Sequence, residues 1–123
     1  MSLRTPLSNA KGLGSAKEGA HHWWAQRLTS IALVPLTIWL AFTIASFSEF
    51  SYAAVIVWMQ SPLVAVALAL LIVTMFYHLQ LGVQVIIEDY VGGWRKVASL
   101  IALNFACIAF TFMGLFSIIK VSL

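Results

Sequence analysis

The sequence predicts an all-α integral membrane protein with three transmembrane helices. Of its 123 residues, 62% are hydrophobic and only 9% are charged, whereas about 25% of the residues in a soluble domain are charged. Long segments without any charge, residues 28–48, 50–87 and 97–119, lie between the charged positions. A spanning helix needs about 20 consecutive apolar residues. The first and third segments therefore predict single spans at about 27–48 and 97–119.

The middle segment is too long for one span. As a continuous helix it would extend roughly 57 Å, almost twice the thickness of the hydrocarbon core. Ser61 and Pro62 divide it, because serine is a favoured N-cap and proline suits the first helical position. The second span is therefore predicted at about 62–87. Residues 49–60 are predicted to form a short connection at the far interface.

The basic residues predict the orientation. Four precede the first span, two follow the second, one follows the third, and the connection between the first two has none: Arg4, Lys11, Lys17, Arg27, Arg95, Lys96 and Lys120. Basic residues are enriched on the cytoplasmic side, so the N-terminus is predicted to be cytoplasmic and the C-terminus periplasmic, in a bacterial inner membrane. Residues 1–26 are predicted to be a cytoplasmic arm and interfacial segment, and residues 27–123 a membrane anchor domain. The first twenty residues lack the apolar core of a cleavable signal sequence.

Composition excludes several functional classes. The net charge of +3 comes from scattered residues, which does not favour nucleic-acid binding. The single cysteine, Cys107, lies in an apolar segment and alone cannot hold an iron–sulfur cluster or form an intrachain disulfide. Walker, GxGxxG and HExxH motifs are absent from the sequence. No catalytic residue is predicted on this chain alone.

His78 is the most informative single residue. It precedes Glu88 by ten positions, which places it about 15 Å along the helix, near the middle of the bilayer. An ionisable group at that depth is costly unless it has a partner or a function. Gly82, one turn further on, lies on the same face and leaves room for a flat group. Two interpretations follow: an axial haem ligand, or a histidine hydrogen-bonded to another helix.

A six-coordinate haem at His78 would need a second chain. The other histidines, His21 and His22, precede Arg27 and lie at or outside the cytoplasmic interface. Three helices also enclose a macrocycle poorly. The sequence therefore predicts a second membrane protein that completes the site.

Two clusters are predicted at the cytoplasmic interface. Arg27, with His21 nearby, can pair with haem propionates; alternatively Arg27 is an interfacial anchor beside two tryptophans. Tyr90, at the end of the second span, can donate a hydrogen bond to a quinone oxygen, and Asp89 can orient a neighbouring donor. The alternative for this second cluster is an ordinary interfacial tyrosine in a solvated acidic turn.

Together these residues resemble a known family. The spacing from His78 through Gly82 to Asp89 and Tyr90 is similar to that in the second helix of the hydrophobic membrane anchor subunit of succinate dehydrogenase, the smaller cytochrome b anchor of that enzyme. The stretch HHWWAQRLTSIALVPLT resembles the start of the first helix in alphaproteobacterial members. The resemblance covers about residues 10–95.

The resemblance implies a heteromeric helix bundle, in which two anchor subunits each give one histidine to a shared haem b. His78 would be the axial ligand, and Tyr90 with Asp89 would bind ubiquinone. Three further residues would lie near the haem: Gly82, Arg27 and His21. A flavoprotein subunit would oxidise succinate, and an iron–sulfur subunit would pass the electrons on. The open alternatives are a fumarate reductase anchor and a haem-free structural or assembly protein.

Overall fold

The computed structural model describes residues 16–123, with side chains from Ala20 onwards. Its four helices are α1 (Ala16–Ala45), α2 (Tyr52–Met59), α3 (Pro62–Tyr90) and α4 (Trp94–Ser122). Three of them, α1, α3 and α4, are long and apolar enough to cross a membrane. This confirms the predicted all-α fold with three membrane spans.

The helices extend beyond the uncharged segments. α1 begins at Ala16 rather than at residue 27, so much of the predicted N-terminal arm is helical. α3 and α4 each run past the predicted ends into charged residues. Charges mark the edge of the hydrocarbon, but the backbone hydrogen bonds of a helix form equally well in the interface. Residues 1–15, the rest of the predicted arm, lie outside the described part.

The predicted connection contains a helix that the sequence pattern did not indicate. α2 begins after Ser51, whose hydroxyl accepts a hydrogen bond from the Ala54 N–H at 3.3 Å. Such a cap satisfies one of the free N–H groups at a helix start. Trp58 of α2 stacks on Trp39 of α1, with ring centroids 6.0 Å apart. α2 thus makes an aromatic contact with the end of α1, while its backbone lies against α3 and α4.

The turns around α3 follow the local sequence. Pro62 is the first residue of α3, as predicted, and Ser61 occupies the N-cap position without a side-chain hydrogen bond. At the other end, Gly93 adopts a φ of 68° and precedes α4. Glycine tolerates this left-handed conformation without a steric cost. The chain therefore reverses sharply between α3 and α4.

The three spans form an open row with α3 in the middle. α3 packs against α1 on one side and α4 on the other, and the described parts of α1 and α4 do not touch. Few side chains are enclosed as a result; among the described residues the buried apolar ones are Leu71, Leu81, Cys107 and Ile118. Most apolar side chains lie on the surface of the chain. Lipid or other membrane subunits must cover them.

Candidate functional site

His78 lies where α3 packs against α1. Its Nδ1 is 2.9 Å from the Oγ1 of Thr29, which is 8% exposed and is the one buried polar residue in the described part of the chain. The imidazole Nε2 has no hydrogen-bond partner among the described residues and is not fully enclosed. The hydrogen bond to a neighbouring helix that the sequence suggested is therefore present. It uses only one ring nitrogen and leaves the other available to a ligand.

Gly82 also faces α1. A Cβ added at Gly82 would meet the Nε2 of Gln26 at 3.9 Å, an ordinary contact, and no other group beyond its own helix within 4 Å. The Oε1 of Gln26 is buried and has no hydrogen-bond partner. An unpaired buried acceptor costs about 1–3 kcal/mol. The Gln26 amide thus lies between Gly82 and α1, with its Nε2 towards Gly82 and its oxygen enclosed without a partner.

The two adjacent histidines of α1 have different surroundings. The Nε2 of His22 donates a hydrogen bond to the Leu81 carbonyl at 3.2 Å, about one turn of α3 beyond His78. His21 is exposed. His21 and Arg27 are six residues apart, about 240° around the helix, so they project from different sides of α1. His22, not His21, contacts the helix that carries His78.

Arg27 makes the contact expected of an interfacial anchor. Its guanidinium carbon lies 4.9 Å above the ring of Trp23, which packs edge-to-face against Trp24 with ring centroids 5.0 Å apart. Cation–π contact of this kind stabilises an arginine at a membrane surface. Arg27 is exposed, and no described hydrogen bond joins it to His78.

Sequence reasoning missed Gln26 and Thr29. With His22 they occupy positions i, i+4 and i+7 on α1, which lie on one face of a helix. A polar stripe at this spacing, on a helix entering a membrane, was a detectable signal. It marks the side of α1 that packs against α3.

Asp89 and Tyr90 lie at the end of α3. Tyr90 is the last residue of the helix and is 85% exposed; Asp89 is also exposed. Neither side chain makes a hydrogen bond within the described residues. Asp89 follows His78 by eleven residues, or three turns, so the two share one face of α3 about 16 Å apart. The structure thus aligns Asp89 with His78 and leaves Tyr90 around the side of the helix.

The arrangement fits a haem ligand better than a metal site built from this chain alone. In residues 16–123, no group of three or more His, Cys, Asp or Glu side chains comes together to hold a metal ion. A single imidazole with a free Nε2 can still bind iron when a macrocycle and another chain supply the other ligands.

Fold and site define a multi-pass membrane protein in which His78, within one of the three apolar helices, is hydrogen-bonded at Nδ1 and has no described partner at Nε2. The chain belongs to the family of succinate dehydrogenase/fumarate reductase transmembrane subunits, which matches residues 1–113.

Individual relatives of this chain are membrane anchor subunits of succinate dehydrogenase. The succinate dehydrogenase hydrophobic membrane anchor subunit of Rickettsia bellii (strain RML369-C) is 42% identical over 92 residues, which cover 73% of this chain and 72% of the relative. The protein of that name from Paracoccus denitrificans is 33% identical over 102 residues, 82% of this chain and 79% of the relative. The succinate dehydrogenase membrane anchor subunit of Reclinomonas americana is 34% identical over 80 residues, which cover 63% of this chain and 67% of the relative. The family resemblance seen in the sequence is confirmed.

Proposed function

We propose that this chain is the membrane anchor subunit of a succinate:ubiquinone oxidoreductase, respiratory complex II. In this role it binds haem b jointly with a second anchor subunit and forms part of the site where ubiquinone is reduced. The family match and the similar anchor subunits support the membership of the complex. The observation that carries the haem assignment is the open Nε2 of His78 in the middle of a membrane span.

His78 is the proposed axial ligand, and the residues around it prepare the site. The Thr29 hydroxyl is hydrogen-bonded to the Nδ1 of His78, so the imidazole plane is fixed at the contact between α1 and α3. Gly82 keeps the next turn of the same face free of a side chain, and the Nε2 of Gln26 lies beside it. Haem, when bound, supplies a one-electron redox centre inside the membrane. Arg27 and His21 are proposed to lie on its propionate side, where cationic groups favour carboxylates.

Tyr90 and Asp89 are the proposed quinone-binding residues on this chain. Ubiquinone reduction consumes two electrons and two protons, so its site needs access to water. The phenol of Tyr90 is exposed at the end of α3 and can donate a hydrogen bond to a quinone carbonyl. Asp89, beside it, can orient a hydrogen-bond donor of a neighbouring subunit. The remainder of the pocket would come from the iron–sulfur subunit and the second anchor.

The proposal implies which subunits this chain contacts and how it is oriented in the membrane. A flavoprotein subunit would oxidise succinate, and an iron–sulfur subunit docked on the cytoplasmic ends of the helices would deliver the electrons. The basic residues before α1 and around the turn between α3 and α4 support a cytoplasmic N-terminus and a periplasmic C-terminus in the bacterial inner membrane. Membrane lipids would cover the faces of the helix row that no subunit contacts.

A fumarate reductase anchor is the second candidate, because the matched family includes fumarate reductase transmembrane subunits. Both enzymes share this architecture and run in opposite directions. The relatives compared above are succinate dehydrogenase subunits, which favours succinate oxidation. Preferred quinone and direction of turnover in the purified complex separate the two.

An optical spectrum tests the haem assignment. The complex is purified through a tag on this chain, and reduced-minus-oxidised spectra are recorded for the wild type and His78→Ala. A b-type haem signal is expected in the wild type, with loss or displacement of most of it in His78→Ala, because a buried iron loses its ligand. His22→Ala is the matched control, since the His22 Nε2 is already bonded to the Leu81 carbonyl. It should retain the signal.

Two results contradict the assignment: a wild-type complex without haem, or an unchanged haem signal in His78→Ala. Co-purified flavoprotein and iron–sulfur subunits would still identify the complex in either case. Their absence would favour a haem-free structural protein instead.

Tyr90→Phe tests the quinone assignment. Loss of one hydrogen bond to the substrate is worth about 1.4 kcal/mol, so quinone reductase activity should fall about tenfold. Oxidation of succinate with an artificial acceptor should not change. Tyr52→Phe is the control, because both tyrosines are 85% exposed and Tyr52 lies at the start of α2, at the opposite membrane surface. Full quinone reductase activity in an assembled Tyr90→Phe complex would remove Tyr90 from the site.

A further inference from the structure

Thr29 has more hydrogen-bond contacts than a threonine in a helix normally makes. Its Oγ1 is 2.8 Å from the Ala25 carbonyl oxygen, 3.0 Å from the Gln26 carbonyl oxygen and 2.9 Å from the Nδ1 of His78. All three contacts are within hydrogen-bonding distance. They converge on one hydroxyl that is almost completely buried.

Counting hydrogens decides the direction of these bonds. A hydroxyl has one hydrogen to donate and two lone pairs that accept. The carbonyls of Ala25 and Gln26 can only accept, so the hydrogen of Thr29 points to them. The bond to His78 must then run the other way, with Nδ1–H donating to Oγ1. In a neutral imidazole this leaves Nε2 without a hydrogen and with its lone pair free.

The other threonines of α1 show what is particular to Thr29. Thr37 bonds the Leu33 carbonyl at 2.7 Å and the Val34 carbonyl at 3.1 Å, and Thr43 bonds the Trp39 carbonyl at 2.7 Å. Back-bonding of this kind is common for threonine inside a helix. Thr29 makes the same intrahelical bonds and adds the bond to His78. The intrahelical bonds are therefore what turns its oxygen into an acceptor for the neighbouring helix.

We propose that Thr29 is a positioning residue that holds His78 in the Nδ1–H tautomer and so keeps the lone pair of its Nε2 available to a metal. This inference rests on the proposed haem-binding function. The opposite tautomer carries its hydrogen on Nε2 and cannot bind iron through that nitrogen. A histidine ligand commonly donates its second N–H to a fixed acceptor, which orients the ring and raises its basicity, and loss of that acceptor lowers metal affinity about 10–100-fold.

The test compares three variants in the assembled complex. Thr29→Val keeps the shape and removes the acceptor; Thr29→Ser keeps the acceptor and removes the methyl group; Thr37→Val makes the same change on the same helix away from His78. Haem content per complex, the rate of haem loss to a soluble acceptor and the reduction potential of the haem are measured. Thr29→Val should lose haem about tenfold faster. Its potential should rise, because a less basic imidazole stabilises ferric iron less. Thr29→Ser and Thr37→Val should match the wild type.

Wild-type haem retention and potential in Thr29→Val would overturn the inference, as would a Thr29→Ser variant as defective as Thr29→Val. If Thr29→Val does not assemble, Thr29→Cys takes its place. Its thiol is a weak acceptor of similar size, so an intermediate rate of haem loss is expected and a wild-type rate contradicts the role. Failure of the proposed function is recognised separately, because His78→Ala would then retain haem or the wild type would contain none.

Discussion

The contacts of α3 with its two neighbours differ in chemistry. Towards α1, the contact is polar: Thr29 meets His78, His22 donates to the Leu81 carbonyl, and the Gln26 amide oxygen is left unpaired. Every described hydrogen bond between α1 and α3 involves a histidine. This contact also leaves the Nε2 of His78 and the Oε1 of Gln26 without partners among the described residues.

Towards α4, the contact depends on shape. Phe76 and Phe110 stack with ring centroids 6.1 Å apart, and Ile72 lies against Gly114 so closely that an added Cβ would come within 3.0 Å of it. One polar pair is present, in which the Gln80 amide donates to Asn104. Next to that pair, a shallow groove of about 210 Å³ lies between the two helices.

The two contacts differ in how completely their polar groups are paired. Helices in lipid associate through close packing and hydrogen bonds, since burial of apolar surface gives no gain there. The contact between α3 and α4 satisfies this requirement by itself. The contact between α1 and α3 contains polar groups that it does not pair, which is costly in a membrane unless another molecule completes them. The incomplete contact is the one where the cofactor is proposed to bind.

The largest expected effect comes from breaking the shape-dependent contact. Gly114→Leu places a large side chain where Ile72 already lies, so α3 and α4 must separate or shift, at a cost of about 1–3 kcal/mol. The complex should unfold at a lower detergent concentration or temperature. The haem spectrum of the fraction that assembles should stay unchanged. Gly92→Leu is the control, because nothing lies within 4 Å of its added Cβ; equal stability of the two variants would show that the helices do not fit closely here.

A smaller effect is expected at the polar pair. Gln80→Leu leaves the Asn104 amide unpaired in the membrane, and hydrogen bonds between membrane helices are worth about 0.6 kcal/mol on average and up to about 2. Unfolding of the complex in detergent should detect this loss. Replacing both partners with leucine should be no worse than the single change, because removal of a whole pair is nearly neutral. Additive losses would mean that each amide bonds to something else.

Much of the fold could be predicted because the solvent is lipid. The position of charges identified the three spans, and Pro62 identified the start of α3. The start of α1 at Ala16 and the whole of α2 were missed, since hydropathy reports where hydrocarbon begins and not where helical hydrogen bonding ends. The start of α2 depends on local capping by Ser51, which hydropathy does not detect.

The sequence predicts how deep the candidate residues lie in the membrane, but not which neighbours they face. Counting from Glu88 predicts His78 near mid-membrane and Asp89 with Tyr90 at the surface. Which neighbour faces His78 depends on how α1 is rotated against α3; no single residue determines that rotation, and only the polar stripe of His22, Gln26 and Thr29 indicates it. Thr29 was missed because this stripe was not recognised, although Thr29 is the residue that contacts the imidazole. Its role emerges only when two helical positions 49 residues apart in sequence are brought together.

The order of the helices in the row also constrains how the chain is made. Ribosomal synthesis delivers α1 to the membrane first, yet α3 is the one described span that α1 contacts, and it emerges later. During that interval Thr29 can rest in lipid without penalty, because its hydroxyl is bonded to its own helix at Ala25. The amide of Gln26 has no described hydrogen bond for its oxygen even in the finished row. The polar face of α1 therefore lacks its α3 partners until the second span has been inserted.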